Sequence, residues 1–422
     1  MSKKFFYGYV ILALCFANMA VMRGVNNAFS VYYVALLENF SWSHSDGASI
    51  ASVNFLVYAF TAPLVGFAFD RFGPRLLMPL GAALVSVGLL LSGFADTLWH
   101  LYFSYGVVTA LGQGALGFVG HSALISYWFV RRRATAIGIA SMGQGFGALI
   151  MVTLTELAIG QMGWRATYIL TAILILLTLV PANALLQRRY PRDVDQYPDG
   201  DPAQSSAQHL VRSASSMDWT LRDALLSFPF WCIVLGHFAL GTAVFMITTH
   251  IVAHYISLGF DKLTAAFIAG VIGFTRIGGT VMWGSVSDRL GRDKTYVIAT
   301  FVALAGVGCL IAMPAGSPLW FGYWSAICFS IGQSAGTPTY GAAIADIFSG
   351  RKVGSIFGYL EVSFGLGSAF GAWIGGYLFD LTGSYAWPFA LCFFCFIISA
   401  TAIHACLNWQ ARQPAMTHLP SP

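Results

Sequence analysis

Apolar residues come in about twelve long runs, and polar residues gather in short clusters between them. The runs fall near 7–36, 47–69, 76–95, 98–129, 135–160 and 164–186, then near 226–257, 262–286, 295–313, 318–347, 353–379 and 385–407. A helix rises about 1.5 Å per residue, so about 20 apolar residues cross the roughly 30 Å hydrocarbon core of a bilayer. The pattern predicts an all-α membrane protein with twelve transmembrane helices. The first run is too long for the apolar core of a cleaved signal and reads as a retained helix.

From Gln187 to Ser227 the hydropathy collapses. The stretch "QRRYPRDVDQYPDGDPAQSSAQHLVRSASS" is polar, proline-bearing and serine-rich, as a linker would be. A short amphipathic piece around "MDWTLRDALLS" is expected to lie along the membrane surface before the seventh span. This divides the chain into a six-helix half (1–187), a linker (188–225) and a second six-helix half (226–422).

The halves repeat. "LGQG" at Leu111 and "IGQS" at Ile331 stand 220 residues apart, and at the same offset Arg131 meets Arg351, Gly145 meets Gly365, and Gly147 meets Gly367. "GFAFDRFGPR" (Gly66 to Arg75) and "GSVSDRLGR" (Gly284 to Arg292) match at an offset of 218. A parallel repeat of six spans plus six is the layout of carriers that rock two halves about a site near the midplane.

Composition removes the soluble alternative. The chain is 57% hydrophobic and 9% charged, against about 25% charged in soluble domains. Of its 22 Lys and Arg residues, only Arg165 and Lys262 fall in loops on one side, and Arg23 and Arg276 lie within spans. The rest line the other side, which the positive-inside rule makes cytoplasmic, with both termini there. The expected location is the plasma membrane, taken as a bacterial inner membrane. The net charge of +5 is this topological bias and implies no nucleic-acid partner. The seven cysteines all lie in apolar segments, including Cys392 and Cys395, and read as packed thiols without a metal or disulfide role. No phosphate-binding loop, metal-spaced His/Glu helix or nucleophile elbow is present, so neither ATP-driven pumping nor an enzyme is indicated, and no cofactor is expected.

The motif Gly-x-x-x-Asp-Arg-x-Gly closes a span in both halves. Its aspartate can pair with nearby arginines or face a helix N-terminus, and its glycine permits a tight turn. Two copies at matched positions read as a charge clamp on the cytoplasmic helix ends, formed by Asp70, Arg71, Arg75, Arg131, Asp288, Arg289 and Arg292. At Asp70, Arg71, Gly73 and at Asp288, Arg289, Gly291, Arg292 the chain resembles the major facilitator superfamily, and the resemblance covers essentially its whole length. It implies alternating access about a central cavity lined by the first, fourth, seventh and tenth spans and their neighbours.

A narrower resemblance lies in "WFVRRRATAIGIASMGQGFG" (Trp128 to Gly147), "GWRATY" (Gly163 to Tyr168) and "DLTGSYAWPF" (Asp380 to Phe389). These are similar to the monocarboxylate transporters and their oxalate/formate relatives, whose members move small organic anions, often with a proton or against another anion. The acidic-Gly-aromatic motif that many members carry before the first span is replaced here by "KKFFYGYV". The cavity lysines of some members are absent.

Ionisable groups inside spans narrow the search, because a charge at the bilayer centre costs about 2.5–3.5 kcal/mol on insertion scales and tends to face a cavity or a partner. Arg276 stands eight residues before Gly284, roughly 12 Å from that helix end. Its guanidinium can grip a carboxylate through two parallel hydrogen bonds or pair with Glu361 in the eleventh span. In the resembled families the binding arginine falls one turn later, where this chain has Thr280. Glu361 is also a candidate proton carrier or gating group, as is Arg23 for gating. Arg23 begins a polar stripe with Asn26, Asn27, Ser30 and Tyr33 on helical spacing. Asn27, Tyr33, His121 and Tyr340 join Arg276 as expected substrate-binding residues. His250 and His254 read as packing at the outer end of the seventh span.

The expected function is a secondary transporter of small mono- or dicarboxylates, acting as a monomer by proton symport or anion exchange. Its partners are the organic anion, the lipid bilayer and H+ as coupling ion. The alternatives are a drug or metabolite efflux carrier and a non-transporting sensor on the same scaffold.

Overall fold

The computed structural model describes residues 5–130, 133–200, 221–348 and 353–412. Throughout these the chain is helical, and the described residues contain no strand. Nine helical stretches among them are long and apolar enough to cross a membrane. One of these, Thr135–Leu186, has 52 residues, about 78 Å of helix, which is enough for two crossings. It bends at Gly163, where φ is 79°. His44–Phe72, with 29 residues, and the pair Leu319–Gln333 and Gly336–Ile347 add two further segments of spanning length. This order is consistent with twelve crossings.

In chain order the spans are Gly8–Phe40, His44–Phe72, Pro74–Ser92 and Leu98–Trp128. The fifth and sixth lie within Arg133–Leu186. Then follow Phe228–Ser257, Lys262–Leu290, Arg292–Ala312, the split tenth span, Val353–Thr382 and Ala386–Arg412.

Local chemistry sets the ends. Ser43 caps the second span by accepting the Asp46 N–H at 3.0 Å, and Asp261 caps the eighth by accepting the Thr264 N–H at 2.9 Å. Gly73 and Gly291, the glycines of the repeated motif, take φ of 74° and 87°. Only glycine adopts that left-handed turn without strain, and here it reverses the second span into the third and the eighth into the ninth. The motif is therefore repeated in backbone geometry as well as in letters.

The fifth and sixth runs are two helices that meet at Gly163, whose backbone is non-helical, so their boundary falls where the hydropathy pattern places it. The fourth and tenth runs are each broken mid-membrane, at Leu116–Gly117 and at Ser334–Ala335. In the tenth the cause is Pro338, whose ring displaces the carbonyl four residues back, at Ser334. In the fourth, Gly117 takes an extended ψ of 176°. Hydropathy averages over such breaks because they are far shorter than a membrane-spanning run.

Lipid offers no hydrophobic drive between helices, so packing relies on small residues that let backbones approach. A methyl group at Gly147 would collide with the Ala20 carbonyl of the first span, and one at Gly367 with the Phe238 carbonyl of the seventh. The first span thus seats on the fifth, and the seventh seats on the eleventh in the same manner. Across the two halves of the sequence the fifth span packs on the eighth at Gly145 and Gly273, and the second on the eleventh at Ala59 and Gly365. Residues 191–200 lie against the start of the chain, where Gln196 accepts the Tyr7 N–H and donates to the Phe5 carbonyl. Of the amphipathic piece before the seventh span, the described part is a short helix, Leu221–Leu225.

Candidate functional site

Three layers are stacked along the bundle: a basic end, a charged middle and a sealed opposite end. At the basic end Arg71 and Arg75 line a cleft of about 290 Å³ together with Arg188, Arg189 and Asp193. Asp193 accepts the backbone N–H groups of Arg189 and Tyr190, and Arg189 lies over the rings of Phe69, Tyr127 and Tyr190. In the second copy of the motif Arg289 is exposed, and Arg292 donates to Ser287 Oγ at 3.3 Å. Of the other expected clamp residues, Arg131 lies outside the described residues, as do the side chains of Asp70 and Asp288.

The middle layer holds the in-span charges. Arg23 of the first span sits 5.1 Å from the centroid of the Phe245 ring, on the seventh span. A cation over a ring face is a partial substitute for hydration. Arg276 of the eighth span is half-buried and donates to Thr337 Oγ1 of the tenth at 3.4 Å, a long bond. Arg23 and Arg276 stand in the same layer, and Tyr58 of the second span lies there with Glu361 of the eleventh. Six spans from both halves of the sequence therefore converge here. Neither arginine forms an ion pair with a described carboxylate; in particular, Arg276 and Glu361 are not joined. Thr280, where the resembled families carry their arginine, instead donates to the Arg276 carbonyl and approaches the Ser334 carbonyl at the break in the tenth span.

Directly beyond Arg23, toward the opposite end, is a small polar cavity. Asn26, Asn27, Ser30, Asn54, Tyr105, Phe245, Thr248 and Thr249 are among its lining residues. Asn27 stands on the cavity wall, one turn beyond Arg23.

The opposite end is closed by contacts between the two halves of the sequence. The Asp380 carboxylate, at the end of the eleventh span, accepts the His44 and Ser45 N–H groups at 2.8 and 2.7 Å. It acts as an anion at the N-terminus of the second span. Lys262 pairs with Glu38 at 2.7 Å. The Thr264 hydroxyl and N–H hold the neighbouring Asp261 carboxyl below the usual carboxylate range. Tyr33 and Tyr385 both place their hydroxyls on His44 Nδ1, at 2.8 and 3.1 Å. His250 packs edge-on against Tyr33 and donates from Nε2 to the Ala372 carbonyl at 2.9 Å; His254 packs on Tyr385 and Phe389. Hydrogen bonds, an ion pair and ring contacts join the two halves of the sequence in this end and in the middle layer.

Three residues expected at the cavity stand elsewhere in this structure. Tyr33 is fully buried in the seal at the opposite end. His121 is also fully buried, and its Nδ1 faces the Gly117 carbonyl at 2.7 Å. Only a donor suits a carbonyl, so Nδ1 carries the proton and Nε2 accepts from Asn18 Nδ2 at 3.0 Å. Asn18 and Asn183 complete the knot by exchanging both amide bonds, at 2.9 and 2.8 Å. Tyr340 donates into Ser399, which also meets the Tyr296 hydroxyl, inside the packing of the last six spans. Each is satisfied by helix neighbours, as a polar group surrounded by lipid must be.

Sequence reasoning missed Tyr58, Asn54, Phe245, His44 and the inter-half role of Asp380. Asn54 had a signal, since it is a lone amide in the apolar "ASVNFLVYAF". Phe245 and Tyr58 had none, because aromatics are frequent throughout the spans.

Together these layers define a membrane carrier scaffold. The chain belongs to the Major Facilitator Superfamily, whose family model matches residues 12–328 and 277–421. It is an integral, multi-pass membrane protein. Among curated proteins it is similar to monocarboxylate transporter 13 of Bos taurus, 28% identical over 387 residues covering 91% of this chain and 86% of that one. It is also similar to human monocarboxylate transporter 11, 28% identical over 393 residues covering 91% and 80%. Among solved structures, a bacterial homolog of the human lysosomal transporter Spinster, inward-facing and unoccupied, superposes with a TM-score of 0.67 at 18% identity, covering 97% of this chain and 95% of that one. The xylose transporter XylE of E. coli, inward open, does so at 0.68 and 13% identity, covering 93% and 95%.

Proposed function

We propose that the chain is a secondary carrier of small organic carboxylates, working by alternating access with proton symport or anion exchange. The observation that carries this reading is the pair Arg23 and Arg276. Two cations stand in the middle layer, one over the Phe245 ring and the other against Thr337, with no described carboxylate in ion-pair contact. Such a site is short of negative charge, and an anion entering it is stabilised by both guanidiniums. The similarity to monocarboxylate transporters supports the same substrate class and membership of that group.

In this reading the two six-helix halves (1–187 and 226–422) rock about the middle layer, the basic end faces the cytoplasm of a plasma membrane, and the sealed opposite end makes this an inward-facing state. The inward-facing forms of the structural neighbours support that assignment. Glu361 makes no hydrogen bond or ion pair with another described residue, which suits a group that gains and loses a proton during the cycle. Asp70, Arg71, Arg75, Arg131, Asp288, Arg289 and Arg292 form the cytoplasmic gate.

The test is uptake of a labelled carboxylate panel into proteoliposomes, with and without an inward acid gradient. Arg276→Ala is expected to lower kcat/KM by about a hundredfold, the scale for stranding a buried charge partner, while Arg276→Lys retains part of it. Glu361→Gln is expected to remove stimulation by the gradient. If the wild type moves no carboxylate, or Arg276→Ala transports normally, the reading fails.

A further inference from the structure

The cavity beyond Arg23 has an unusual balance of hydrogen-bonding groups. Three of its hydroxyls commit their protons to the backbone: Ser30 donates to the Asn27 carbonyl at 2.8 Å, Thr248 to Val244 at 3.0 Å and Tyr105 to Val25 at 3.2 Å. What these groups present to the cavity is lone pairs. Asn54, fully buried, donates its amide to the Tyr105 carbonyl at 2.8 Å, which fixes the orientation of the side chain. Its Oδ1 is then left buried with no partner among the described residues, and so is Asn26 Oδ1. Two orphan acceptors on one cavity wall call for a donor from outside the fold. The free space, about 10 Å³, seats the tip of one small polar group.

Position decides what carries that donor. Phe245 lines the cavity and also seats Arg23, so the donor site adjoins the anion site. Arg23 and Arg276 raise the local positive potential, which disfavours a metal cation or an ammonium group and leaves a neutral O–H or N–H. Asn26 and Asn27 lie one turn beyond Arg23, about 5 Å along the helix. A carboxylate held at Arg23 and Arg276 reaches them only with a donor several bonds away from it.

We infer that the substrate is a carboxylate bearing a neutral hydroxyl or amide donor at its far end, read by Asn26 and Asn54. This deepens the anion-carrier reading and rests on it. Plain alkyl carboxylates and 2-hydroxy acids, whose donor adjoins the carboxylate, are poorer ligands.

The experiment is competition and direct uptake in proteoliposomes with 5-hydroxypentanoate, the monoamide of glutarate, hexanoate, 2-hydroxypentanoate and 5-aminopentanoate, in sodium and in potassium media. The two far-end donors are expected to be favoured over hexanoate by about tenfold or more, since a site built to bond a donor rejects the analogue without one. Asn54→Leu and, in case that variant folds poorly, Asn26→Ala are expected to raise KM for the donor-bearing acids and leave that for hexanoate unchanged. Equal transport of hexanoate, or unchanged preference in both variants, overturns the inference while leaving the carrier reading intact. Preference for 5-aminopentanoate, or discrimination that requires sodium, assigns the cavity to a cation and also overturns it. Failure of every acid to move overturns the carrier reading itself.

Discussion

Removing the Asp380 carboxylate unlocks the opposite end. In the closed arrangement it accepts two backbone N–H groups from the first turn of the second span, at 2.8 and 2.7 Å. Charge-assisted bonds of this kind are worth about 1.5–3 kcal/mol each when buried. Asp380 is exposed, and water screens it, so about 0.5–1 kcal/mol each is the appropriate scale. The pair then biases the closed state by about 1–2 kcal/mol, or roughly 5–30-fold in population. The Lys262–Glu38 pair, with side chains 48% and 54% exposed, contributes about 0.2–1 kcal/mol through one flexible contact. Asp380→Ala should therefore open this end more than Lys262→Ala does. Asp380→Asn, which keeps one acceptor oxygen, should fall between wild type and Asp380→Ala. Spin labels at cysteines replacing Trp99 and Leu319, exposed at the starts of the fourth and tenth spans, report the separation of the two halves at this end. An Asp380→Ala distance distribution indistinguishable from wild type, or a larger shift in Lys262→Ala, would refute the reasoning.

Two further outcomes test the packing. Gly147→Ala places a methyl group against the Ala20 carbonyl, which belongs to a helix backbone and cannot swing aside; the cost is about 1–3 kcal/mol, seen as a lower apparent Tm of the purified protein. Gly160→Ala on the same helix meets open space and is expected to be neutral or to stabilise by up to about 1 kcal/mol, so equal losses in both variants would show that helix propensity, and not the close approach, is being measured. His121→Leu strips Asn18 of its acceptor in a sealed knot, a cost of about 1–3 kcal/mol, and should lower Tm while substrate KM stays within about twofold. A changed KM at unchanged Tm would return His121 to the transport path.

The fold was legible in the chain because its determinants are local. A run of apolar residues long enough to cross lipid must satisfy its own backbone, and only a helix does that within one segment. The repeated Gly-x-x-x-Asp-Arg-x-Gly motif marked the turns at Gly73 and Gly291, since a left-handed backbone excludes other residues there. Arg23, Arg276 and Glu361 stood out for a similar reason: a charge in an apolar run is costly wherever the helix points. Neutral polar residues can be flagged in the same way, but the flag does not tell a cavity wall from a packed interior. Asn27 and His121 look alike from hydropathy, yet one lines a cavity and the other closes a hydrogen-bonded knot with Asn18 and Asn183.

By itself, then, the sequence determined the helices, the repeat and which charges lie in the membrane, because each follows from residues close together in the chain. Tertiary structure alone decided which polar faces meet. It brought Asp380 to His44 across 336 residues of chain, set Phe245 beneath Arg23, and left Asn54 Oδ1 unpartnered beside them. Those outcomes depend on the rotation and depth at which helices pack, which small residues such as Gly145 and Gly365 set across the two halves, and no periodicity within one helix specifies them.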